Sequence, residues 1–142
     1  MKLPITLFIN NISTKKVYYF KSSKISSQLP HYFICVITGN ETFVLVCCTS
    51  QFDKRKRFAE SRGLESSLVW IKSDTDNGLK IDSYVDCNTV FYYTIEEFKI
   101  LYENDDIEYK AELSEIHFTQ IITGIKNSSL IEEEVKDLLP EI

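Results

Sequence analysis

The sequence has no apolar run near the roughly eighteen residues that a membrane helix needs. Its first stretch, MKLPITLFINNIST, carries one lysine and a short apolar segment broken by Pro4, Asn10 and Asn11. It has no long hydrophobic region and no small-residue cleavage site, so a signal peptide is not expected and a cytoplasmic location is the default. Cysteine pairs at C-x-x-C spacing are missing, which leaves a structural zinc site without support. No cofactor is implied by any motif. Arginine is scarce: Arg55, Arg57 and Arg62 are the three in the chain. Repeats and long linkers are absent as well, so residues 1–142 are expected to form one domain.

What is present suits a folded domain. Of 142 residues, 44% are apolar and 13% aromatic, enough for a single well-packed core. The formal net charge of −5 argues against a surface built wholly for nucleic acid, although a local basic patch is compatible with it. Cys35, Cys47, Cys48 and Cys87 each lie in or beside a strand-like apolar run, where a free thiol behaves as a small hydrophobe. The vicinal pair, Cys47 and Cys48, is expected to point to opposite faces of one strand.

Strand signals come first along the chain. KVYYF (16–20), YFICVI (32–37), TFVLVCC (42–48), SLVWIK (67–72) and YVDCNTVFYY (84–93) are rich in β-branched and aromatic residues. Gly39-Asn40 favours a tight hairpin, DTDNG (74–78) is a turn cluster, and residues 21–28 read as a mobile loop. Trp70 is most simply core. The period then changes. Thr94 and Glu97 fit a capping box that opens a short helix through about Leu101. ENDDIE (103–108) reads as a loop. Ser114 caps a second helix in which Phe118, Ile121, Ile122 and Ile125 share one face. SLIEEE (129–134) repeats the capping logic for a final short helix. This order predicts a mainly β domain with α elements: a small antiparallel barrel or curled sheet decorated by two or three helices. A parallel sheet is disfavoured because the strands follow one another without crossover helices.

Four segments in order, LPHYFICVI, LVCCTSQ, NGLKIDSYVDCNTVFYYTIEEF and AELSEIHFTQIITGI, resemble the toxins of the MazF/PemK type, over about residues 29–128. That resemblance implies an SH3-like β-barrel, usually a homodimer. It also implies a metal-independent endoribonuclease that cuts single-stranded RNA and is neutralised by an antitoxin. The catalytic threonine of the family falls on Thr49, with Ser50 and Gln51 beside it, and its catalytic arginine falls on Leu29.

Cutting RNA without a metal requires a base for the 2′-hydroxyl, an acid for the leaving oxygen, and donors near the phosphorane. Histidine exchanges its proton near neutral pH, which makes His31 the acid or base of choice. Lys54, Arg55, Lys56 and Arg57 follow Thr49-Ser50-Gln51 directly. Arg55 is the candidate replacement for the missing arginine, and Arg57, Lys54 and Lys56 are candidate phosphate contacts. Asp86 and Asn88 are placed near a strand end that can line the same cleft. A plainer reading stands beside each assignment. The basic run is equally a solvated loop, Thr49 and Ser50 can bond local backbone, and His31 can be a packing residue. His117 is expected to be structural. A non-catalytic binding protein on the same fold is the alternative function.

Overall fold

The structure, a computed structural model, describes residues 2–49, 57, 60 and 67–141. Strands β1 (Lys16–Phe20), β2 (His31–Thr38), β3 (Thr42–Thr49), β4 (Leu68–Ile71), β5 (Ser83–Thr94) and β6 (Ile107–Glu112) form one antiparallel sheet in the order β4-β5-β3-β2-β1-β6. The sheet is open, with β4 and β6 at its edges. Among the described residues the helices are α1 (Ile5–Asn10), α2 (Ile95–Glu103), α3 (Glu115–Asn127) and α4 (Glu133–Lys136). None of them is long and apolar enough to cross a membrane.

Strand alternation explains why both sheet faces are covered. Ile34, Val44, Val46, Cys48, Val85 and Cys87 point to one face, where they meet Phe118, Ile121, Ile122 and Ile125 of α3. Phe33, Cys35, Phe43 and Leu45 point to the other and meet Phe8 of α1 and Phe98 and Tyr102 of α2. Cys47 and Cys48 therefore do face opposite ways, and all four cysteines are free thiols. Gly124 brings α3 close to β5: a Cβ there would stand 3.0 Å from Cys87 Sγ.

The capping box at Thr94 forms as expected, with Thr94 Oγ1 accepting the Glu97 N–H at 3.1 Å and Glu97 Oε1 accepting the Thr94 N–H at 3.0 Å. Ser114 likewise caps α3. Three expectations are corrected. Residues 103–108 are not all loop: α2 ends in a tight reversal with Asp105 at φ 56°, where Asp106 N–H bonds Leu101 O at 2.8 Å and Asp105 N–H bonds Tyr102 O at 3.1 Å. Ile107 is thereby free to start the edge strand β6. The last helix opens later than Ser129: α4 has Glu132 at its N-cap without a side-chain cap, while Ser128 Oγ accepts the Leu130 N–H. Trp70 is not core. Its strand neighbours Val69 and Ile71 are buried, so Trp70 faces the other way and is 46% exposed.

The turn after β4 crosses the sheet end. Asp74 Oδ1 accepts the N–H groups of Asp76 and Asn77, both at 2.8 Å, and Gly78 takes φ 72°. A Cβ on Gly78 would lie 2.8 Å from Lys110 Cβ, so the turn from one sheet edge packs on β6 at the other.

Candidate functional site

The ends of β1 and β3 and the starts of β2 and β5 surround a cavity of about 660 Å3. Among the described residues its lining includes Tyr19, His31, Tyr32, Cys47, Thr49 and Asp86. Leu29 and Pro30 contribute from the loop ahead of β2, and Lys80 and Ile81 from the crossing turn. The cavity brings His31 and Thr49 together. β2 and β3 pair as far as Phe33 and Cys47, and His31 and Thr49, each two residues beyond that pair, both line the cavity. They are eighteen residues apart in sequence (49 − 31).

The loop before β2 is tied down from below. Ser22, fully buried, shares a hydrogen bond with Tyr93 Oη. Lys24 Nζ pairs with Glu97 Oε2 at 3.2 Å and lies 4.9 Å over the Tyr93 ring. These contacts set the course of residues 25–30 across the cavity. On the far side, Ser73 N–H donates to Asp82 Oδ1 at 2.7 Å and Ser73 Oγ–H to Leu79 O at 2.6 Å, which orders the turn that delivers Lys80.

β5 supplies the floor through an irregularity. Leu45 pairs with Phe91 but Cys47 pairs with Asp86, so the four residues 87–90 stand where β3 has only Val46, an excess of three. The displaced segment is pinned inside: Ser128 Oγ–H donates to Asn88 Oδ1 at 2.7 Å, and Asp86 Oδ1 accepts the Asn88 N–H at 3.0 Å. Asp86 and Thr89 are thereby turned into the cavity. Asn88 is not; it is buried against Ser128, which corrects its expected place in the cleft.

Two observations bear on chemistry. His31 Nδ1 is fully shielded from solvent and has no hydrogen-bond partner among the described residues, a state that costs about 1–3 kcal/mol unless something fills it. Tyr19 and Tyr32, cross-strand partners, hold their rings 4.6 Å apart on one wall. An imidazole, a hydroxyl, a carboxylate, an ammonium and an aromatic wall thus share one opening. This set can move a proton and contact a phosphate and a planar ring.

Sequence reasoning placed His31 and Thr49 at this mouth, and the structure brings them together. Ser50, Gln51, Lys54, Arg55 and Lys56 lie outside the described residues; Arg57 is exposed. His117 sits on α3, away from the cavity lining. Leu29, on which the resemblance sets an arginine, is 69% exposed at the rim. Lys80 was missed, and so was the pairing of Tyr19 with Tyr32, though both tyrosines stand among those that outward-facing strand positions offer for base stacking. The tyrosines become partners only through the β1–β2 register, and nothing near Lys80 in sequence announces the turn's path. Among known protein families and curated proteins, none matches the chain.

Proposed function

We propose that the protein is a toxin-like endoribonuclease of the MazF/PemK type, cutting single-stranded RNA in the strand-end cavity with protein side chains and no metal. One observation carries this reading: His31 and Thr49 line one strand-end cavity together with a tyrosine pair and a lysine. In it, His31 takes the proton of the attacking 2′-hydroxyl and returns it to the 5′-oxygen that leaves as the P–O5′ bond breaks, Thr49 donates to a phosphoryl oxygen, and Lys80 offsets the charge of the phosphorane. The curled sheet, with its crossing turn against β6, is read as an opened SH3-like barrel. An antitoxin and a second copy of the chain are the protein partners this reading brings, in the cytoplasm.

A second reading is favoured by Leu29. An exposed apolar residue at the rim offers no charge to a transition state, which suits a module that binds RNA without cutting it.

Incubation with a long single-stranded RNA in EDTA tests both. Discrete cuts are expected, weakened about a hundredfold or more in His31→Ala, the lower end of what a general acid–base group supplies, and reduced in Thr49→Ala. Cuts at equal rate in both variants would overturn the site. RNA bound in a salt-sensitive way but left intact would select the binding module.

A further inference from the structure

Trp70 does not belong to the cavity lining, yet it stands in line with it. Trp70 pairs with Tyr84 across β4–β5, and Tyr84 pairs with Thr49 across β5–β3. Laterally paired residues point to the same side of a sheet, so these three form one row on one face, and His31, two residues before Phe33 on β2, points to the same side. The core contacts agree: Val69, Ile71 and Val85 are buried on the α3 face, which turns Trp70 and Tyr84 to the opposite one. The Trp70 and Tyr84 rings lie 4.7 Å apart at 52°. Three strand spacings separate Trp70 from His31, roughly 14 Å, a span of a few nucleotides.

We propose that Trp70 and Tyr84 form a stacking platform for a nucleobase of single-stranded RNA, one end of a track that leads to His31 and Thr49. The inference rests on the ribonuclease or RNA-binding reading of the cavity and extends it to a residue that the reading does not use. Three features favour a nucleobase as the occupant. An indole 46% exposed on a sheet face offers a flat, rigid surface with a π-face that any base can meet. The row reaches the cavity at Thr49, which lines it. In the sequence, the segment between the strands that bear Thr49 and Trp70 contains Lys54, Arg55, Lys56 and Arg57, the densest positive charge of the chain, and such charge suits an anionic partner.

Trp70 is the only tryptophan, so emission excited at the long-wavelength edge, where tyrosine does not absorb, reads this position alone. The probe is a mixed-sequence single-stranded RNA, 2′-O-methylated to prevent cutting and labelled at one end for anisotropy. Saturable quenching of Trp70 with the same midpoint as the anisotropy change is expected. Trp70→Ala should weaken binding about tenfold, within the usual range for loss of one base–aromatic stack, and Trp70→Phe, which keeps a ring, should restore most of it. Normal anisotropy with unchanged Trp70 emission, or with equal affinity in Trp70→Ala, would overturn the platform and leave the cavity reading standing. No anisotropy change at all would overturn both. If Trp70→Ala does not fold, wild-type quenching and Trp70→Phe still decide.

Discussion

Each of the four thiols has its chemistry set by how deeply the fold buries it. Burial pushes Cys35 up to about 12, and burial likewise raises Cys87 and Cys48. Cys47 alone is half-exposed, and it lines the cavity. Iodoacetamide at neutral pH is therefore expected to label Cys47 in the native protein, and all four cysteines in urea. Native labelling of Cys87 would contradict the packing of α3 on β5. The same shifts have a sign for stability. A thiol kept neutral in the fold but free to ionise at about 8.5 when unfolded contributes fully below that pH and progressively less above it. The urea midpoint should fall between pH 7 and 10, and a constant midpoint would count against buried thiols. His31 and Thr49 were legible as residues because polar groups at strand ends stand out. Trp70 was not, since a large aromatic in an apolar run reads as core until its neighbours are known to face the other way.

Elements with strong local signals were read correctly, and those made by tertiary contact were not. The Thr94–Glu97 box and the Ser114 cap bond within a few residues, so sequence spacing suffices. α1 has no side-chain cap and depends on Phe8 stacking on Tyr102 at 4.1 Å. β6, IEYKAE, hides its strand character because it is an edge with exposed charges, including Glu108 and Lys110 paired at 2.6 Å. Thr94→Ala should cost about 1 kcal/mol, read as a lower urea midpoint. The box also carries a pH term. Burial alone would raise the Glu97 carboxyl, but the Thr94 N–H and Lys24 outweigh it and hold the group below the usual glutamate range. That contribution is present above the unfolded value and lost as pH falls through the folded one. Glu97→Gln should therefore flatten the acid side of the stability profile, and an unchanged profile would remove the carboxylate from the account.

For the molecule as a whole, the class of fold was legible and its closure was not. Alternation and the lack of crossover helices give an antiparallel sheet. Which edge meets which depends on the crossing turn and on contacts such as Gly78 against Lys110, which no local pattern encodes. The central claim is that the strand-end cavity, and not another surface, meets RNA. The chain has two histidines, His31 at the cavity and His117 on α3, so their imidazole proton resonances make an internal comparison. Titration with an uncleavable single-stranded RNA, followed by NMR, tests the claim directly. The account predicts that the His31 resonances shift and saturate while those of His117 stay in place. Saturable binding that moves His117 and leaves His31 unmoved would contradict it.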